Sequence, residues 1–134
     1  MFKGYIAVAA QVFTTAERLG LLDVLKDELR LRLPDHLRLA ESGVVVTPPK
    51  AYRCVFEMEE IDRTHAEEGG FDPDLFQGAV GVFRDIAEDS VLGEEKIGSR
   101  VRGTTMEDFA ATLASDLEHR AACRQTTQEK GDDH

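Results

Sequence analysis

Residues 51–70, AYRCVFEMEEIDRTHAEEGG, decide the fold class. Their first nine positions alternate, with Tyr52, Cys54, Phe56 and Met58 on one side and Arg53, Val55, Glu57 and Glu59 on the other. A period of two marks a half-buried strand, so the stretch predicts a strand over 51–59 with Cys54 turned inward. The remainder, EEIDRTHAEEGG, is polar and closes on two glycines, which predicts an acidic loop.

Upstream, VVVT (44–47) has high strand propensity, and Pro48 and Pro49 must end it because neither can donate to a ladder. HLRLA (36–40) alternates and ESG (41–43) supplies a turn, so residues 36–59 read as a β-meander. Before it, Thr14 as N-cap with Glu17 three positions later predicts a helix start. Leu19, Leu22, Leu25, Leu29 and Leu33 then share one stripe at about 100° per residue, and Pro34 ends the helix. LRLRL (29–33) also alternates and leaves the last turn open to an extended reading. Residues 2–13, with Tyr5, Ile6, Val8, Val12 and Phe13, predict a first strand.

Downstream, Asp72 as N-cap, Pro73 at the first helical position and Asp74 near the positive dipole end open a helix. Leu75, Phe76, Ala79, Val80, Phe83, Ile86 and Ala87 form its apolar face, and Gly93 is its expected end. EKIGSRVRG (95–103) predicts a short strand carrying Arg100 and Arg102 on one face, able to grip an anion or to guard a sheet edge. Thr104 with Glu107 repeats the capping pattern ahead of a last helix to about Arg124. The expected order is β-α-β-β-β-α-β-α: an α+β fold with a mostly antiparallel sheet of four to five strands and three amphipathic helices. Residues 1–124 form one domain, and 125–134, without an apolar anchor, form a flexible tail.

A chain of 134 residues with 42% apolar and 31% charged positions can bury one core. No apolar run approaches the roughly 20 residues that span a bilayer, and the N-terminus lacks the leucine-rich centre of a signal peptide. Two cysteines without CxxC spacing exclude a disulfide-dense scaffold, so the cytoplasm is the expected compartment. The formal charge is −10, and 13 acids against two bases lie between Glu57 and Glu95. That imbalance disfavours direct contact with nucleic acid or an anionic membrane, and favours a basic protein partner or a divalent cation.

No catalytic signature accompanies the charge. Cys54, His65, His119 and Cys123 are metal-ligand types, but His119 and Cys123 face away from the Phe109, Leu113, Leu117 stripe while Cys54 faces a core. Glu59, Glu60, Asp62, Glu67 and Glu68 offer oxygen ligands without an EF-hand spacing. His65 beside these acids would have its protonated form favoured. Neither a nucleophile elbow nor a glycine-rich phosphate loop occurs, and no metal or cofactor is expected. Gly78 and Gly81 fall on the polar side of their helix, each costing about 1 kcal/mol relative to alanine, and open a groove for a second backbone.

The expectation is a small acidic, non-enzymatic binding or accessory protein, of which an inhibitor or immunity protein is one version. Its acidic face over 57–95 (Glu57, Glu59, Glu60, Asp62, Glu67, Glu68, Asp74, Gly78, Gly81, Asp85 and Glu88) meets a protein partner with a basic surface. The alternatives are a divalent-cation-dependent enzyme or sensor using the 57–74 acids, and a structural subunit whose glycine groove forms a homo-oligomer contact.

Overall fold

The computed structural model describes residues 1–131. Among them are six α-helices: α1 (Phe2–Arg18), α2 (Leu22–Arg32), α3 (Pro34–Val45), α4 (Ala51–Gly69), α5 (Leu75–Glu88) and α6 (Met106–Gly131). No strand occurs among the described residues; the nearest thing to one is an isolated antiparallel bridge between Lys96 and Ser99. The expected α+β sheet is therefore corrected to a helical fold. None of these helices is long and apolar enough to cross a membrane.

The deciding stretch is α4. Its buried residues are Ala51, Cys54, Val55, Met58 and Asp62, separated by three and four positions. Tyr52 and Phe56, which a strand would bury beside Cys54, are 59% and 66% exposed. Positions four apart share a face in either geometry, so Cys54 and Met58 could not discriminate; Tyr52 and Phe56, two away, do. The expected acidic loop continues the helix, because Glu, Arg and Ala are good helix formers. It stops where Gly70 turns left-handed at φ 72°, its N–H donating to the Ala66 carbonyl at 3.1 Å.

The expected strand over 2–13 is the body of α1. Ile6, Ala10 and Phe13 form an inward stripe, and Ala7, Ala9, Thr14 and Ala16 widen it to about half the circumference. Those alanines let several neighbours close in on α1. Thr14 is buried inside the helix rather than capping it. The single helix expected over 14–33 is broken at Gly20, φ 69°. Leu21 N–H reaches back to the Ala16 carbonyl at 2.8 Å and Gly20 N–H to Glu17 at 3.0 Å, closing α1 as a Schellman turn.

The first part of the expected meander, 36–47, is mostly α3, with Pro34 as its first residue and Leu37, Ala40, Gly43 and Val44 buried. Gly43 lies directly against Ile6, where a Cβ would collide, which fixes how closely α3 approaches α1. A 3₁₀ turn over Pro48–Lys50 with Pro48 buried leads into α4. Helix α5 has Asp74 rather than Asp72 at its N-cap position, with no side-chain capping hydrogen bond, and ends at Glu88 rather than Gly93. A second 3₁₀ turn, Val91–Glu94, is capped by the Ser90 hydroxyl, which accepts from Leu92 N–H at 3.2 Å.

Residues 95–103 are a pinned loop instead of a strand. The Glu95 carboxylate accepts the N–H groups of Val101 and Arg102 at 2.8 and 2.9 Å. The half-buried Arg100 guanidinium donates to the Val45 carbonyl and, at 3.0 Å, to Gly103. The start of α6 is capped one residue later than expected: Thr105 accepts from Asp108 N–H at 3.1 Å, and Asp108 accepts from Gly103 N–H at 2.6 Å. Helix α6 continues through the first part of the expected tail to Gly131, and residues 132–134 lie outside the described residues.

The core gathers Val44, Met58, Val80, Phe83, Ile86, Leu92 and Phe109, all fully buried. Helix α1 runs through the middle and contacts α3, α5 and α6; α4 and α5 form the most extensive pair, an antiparallel hairpin. This hairpin carries every residue expected to meet a partner. One flank of α5 faces α4, the opposite flank faces α1 and α6, and the hairpin turn stands at one end.

Candidate functional site

The helical hairpin sorts the expected acidic face into carboxylates that are already engaged and carboxylates that are not. Asp62 is buried and accepts from the Gln77 side chain at 2.8 Å, tying α4 to α5. Glu59 reaches Arg84 at 3.4 Å across the same seam, and Glu60 pairs with Arg63 one turn away at 2.9 Å. Glu57 pairs with Lys3 at the rim of a cavity of about 250 Å³ that also holds Lys50, Arg53 and Cys54. Asp85 points to the other flank, where it shares Arg120 with Asp89, the latter at 2.7 Å. Hydrogen bonds to Asp89 and then Asp85 hold the Arg120 guanidinium above its ordinary pKa, outweighing partial burial.

The remaining acids lie differently. Glu67 and Glu68 on the last turns of α4, and Asp72 and Asp74 in the turn to α5, are exposed and have no Lys, Arg or His nitrogen within 4.0 Å among the described residues. Two apolar side chains stand among them, Phe71 at 69% and Leu75 at 77% exposure. His65, also exposed, stacks on Phe76 at 4.9 Å between ring centroids with planes 8° apart, which braces the hairpin just behind the turn. Glu88 is exposed at the far end of α5, away from this tip. The geometry thus gathers Glu67, Glu68 and Asp74 and separates them from Glu57, Glu59, Asp62, Asp85 and Glu88.

Gly78 and Gly81 do not join the tip. They line a cleft between α1, α5 and α6 together with Gln11, Thr14, Arg18 and Asp85. The four metal-ligand types do not assemble: Cys54 is buried in α4, His65 lies three turns further along it, and His119 and Cys123 are exposed on α6. Among the described residues, no three His, Cys, Asp or Glu side chains are placed to hold an ion.

Residues 16–86 match the family described as a domain of unknown function (DUF1932), just over half of the chain. The chain belongs to this family. The matched segment runs from the last turn of α1 through most of α5, so it contains α4, the hairpin tip and all but the last two residues of α5. Comparison with curated proteins and with solved structures finds no match.

Sequence reasoning missed the apolar half of the tip and the far wall of the cleft. Phe71 and Leu75 sit beside two glycines, a proline and three aspartates or glutamates, a neighbourhood that signals a turn apex rather than a core. Thr14 and Arg18 share a helix face one turn apart, a relation visible only once residues 2–18 are read as helical.

Proposed function

We propose that this protein is a small, non-enzymatic docking module that engages a basic protein partner through the α4–α5 tip, in the cytoplasm. The observation that carries this reading is the set of four exposed carboxylates, Glu67, Glu68, Asp72 and Asp74, which pair with no cation among the described residues and flank the exposed Phe71 and Leu75 in the chain. Carboxylates without internal partners break no ion pair when a lysine or arginine of another chain arrives, and two exposed apolar groups supply contact area in the same patch. A partner segment carrying both basic and apolar residues fits that arrangement. The ion-paired acids at Glu57, Glu59, Glu60 and Asp85 contribute long-range field rather than contacts, since a partner would have to displace Lys3, Arg84, Arg63 or Arg120.

The test is capture of the partner on immobilised protein at low salt, beside a triple variant, Glu67→Gln, Glu68→Gln and Asp74→Asn, and beside Phe71→Ser. The wild type is expected to retain a protein that moderate salt releases and that both variants fail to hold, with helical circular dichroism unchanged in each. A partner held equally by the triple variant, or held unchanged through high salt, defeats the reading.

A further inference from the structure

Two neighbouring hollows, of about 360 and 440 Å³, share Gln11, Gly78 and Val82 and run together as one groove between α1 and α5. Its α1 wall is Gly4, Val8, Gln11, Thr15 and Arg18, spaced by four and three, which is one continuous stripe of a helix. Its α5 wall starts at Leu75, in the tip, and continues through Gly78 and Val82 to Asp85. The two helices therefore run in the same direction along the groove, which is about 21 Å long by the helical rise from Gly4 to Arg18. Its walls are largely apolar and uncovered, with Val8 58% and Leu75 77% exposed. A Cβ at Gly78 or Gly81 would meet nothing within 4 Å, so the floor lies open to the backbone of α5. The two ends differ in charge. At one end stand the unpaired carboxylates of the tip, beside Leu75. At the other stands Arg18, exposed and without a carboxylate within 4.0 Å among the described residues, while Asp85 beside it is held by Arg120.

We propose that the partner docked by the acidic tip lays an amphipathic α-helix into this groove, antiparallel to α1 and α5. This deepens the docking reading of the tip, on which it rests, with the shape, length and direction of what docks. A furrow between two helices with an apolar wall on each side takes a third helix by interdigitating side chains, and the bare backbone at Gly78 and Gly81 allows close approach. Charge sets the direction. The helix dipole favours aspartate and glutamate in a first turn, lysine and arginine in a last turn. That pattern matches both ends of the groove only when the last turn of the partner helix meets Glu67, Glu68, Asp72 and Asp74 and its first turn lies over Arg18. The dipole of the docked helix then also opposes those of α1 and α5. The groove takes about 14 residues of helix, or about four turns. The partner segment is thus an apolar stripe with an acidic beginning and a basic end.

Two capped, hydrocarbon-stapled helical peptides of about 18 residues test this on the full chain labelled with nitrogen-15. Both carry one stripe of leucines on an alanine background. One has glutamates in its first turn and lysines in its last, and the other has those charges exchanged. The first is expected to bind with a Kd of about 100 μM or tighter, shifting the amides of Val8, Gln11, Thr15 and Gly78 together with those of the tip, and the second about tenfold more weakly. Arg18→Glu narrows that preference. Gly78→Gln together with Gly81→Gln fills the groove and abolishes binding, while the thermal midpoint stays at or above wild type because glutamine is the better helix former. Absence of saturable shifts in the groove, equal affinity for the two peptides, or undiminished binding by the double glycine variant overturns the proposal. A wild-type chain that sediments as a dimer, and as a monomer once both glycines are replaced, overturns it too by giving the groove to a second copy. Shifts confined to the tip overturn the groove and leave the docking reading standing. Failure of that reading is seen instead in the capture experiment, where no groove residue is changed.

Discussion

Helices α1 and α2 adjoin in the chain and both carry many apolar residues, yet they are held by different forces. Helix α1 buries seven side chains across half its girth. Helix α2 buries Leu22 alone, half-buries Leu25 and Leu29, and leaves Val24 60% and Leu31 78% exposed. The difference is one of shape more than of hydrophobicity. Alanines at 7, 9, 10 and 16 let α3, α5 and α6 close around α1, whereas alternating leucine and arginine at 29–33 spread the apolar groups of α2 around the helix. What holds α2 in addition is polar. Lys26, only 12% exposed in its side chain, reaches Glu41 at 2.7 Å on α3 and also pairs with Glu107 on α6.

The largest expected effect lies on the packed side of that division. Phe83 is fully buried between α5 and the core. Phe83→Ala removes an aromatic ring where the surroundings are least able to collapse, and should cost about 3–5 kcal/mol of unfolding free energy. Denaturant titration measures it. A cost no greater than that of Leu31→Ala would erase the distinction between the packed core and α2.

The polar tie comes next, and it carries a pH signature. Burial pushes the Lys26 ammonium down, but hydrogen bonds and charge from Glu107 and Glu41 outweigh it, so its pKa lies above the ordinary 10.5. The hydrogen bond from Lys26 pulls the Glu107 carboxyl below the ordinary 4.5. A carboxyl with a depressed folded value stabilises the protein above its unfolded pKa and loses that contribution as pH falls through the folded one. A lysine with a raised value contributes below 10.5 and loses it as pH rises beyond. The tie is therefore intact between about pH 5 and 10. Lys26→Met should lower stability near pH 7 by about 1–2 kcal/mol, discounted from a buried charged hydrogen bond because Glu107 is exposed. It should also flatten the decline of stability between about pH 5 and 3. Melting curves of wild type and variant across that range decide it; parallel curves mean that the contact contributes nothing.

The same contrast explains what could be read from the sequence. Three helix segments were legible: the apolar face of residues 76–87, which Leu75 does not join, the Leu22–Leu29 part of the expected Leu19–Leu33 stripe, which lies in α2, and the body of α6, because each shows spacing of three and four over several turns. Residues 2–13 and 51–59 were misread for a common reason. The first is rich in β-branched and aromatic residues and the second alternates Tyr52, Cys54, Phe56 and Met58 with other positions, and in both the buried set (Ile6, Ala10, Phe13; Cys54, Met58) fits a helix as well. Alanine in the first and glutamate in the second favour helix locally, and tertiary burial agrees with them. Gly20 before Leu21 was a visible stop signal, overridden by a leucine stripe that seemed continuous across it. Of the site, the charge of the hairpin was legible from composition, but which acids remain free was not. That depends on Lys3, Arg84 and Arg120, brought from positions 25 to 54 residues away in sequence.

The smallest effect is the most informative about α2. Leu31 is 78% exposed and touches no core residue cluster. Glutamine matches leucine closely in helix propensity, so Leu31→Gln removes apolar surface without disturbing the helix. If α2 is held only by Leu22, Leu25, Leu29 and the Lys26 tie, the change should lie within about 0.5 kcal/mol of zero by chemical denaturation, independent of protein concentration. A loss above about 1.5 kcal/mol, growing as the protein is concentrated, would mean that another copy covers this face in solution. The exposed leucines would then complete a core shared between chains, and the weak helix of the single chain would be a strong one in the assembly.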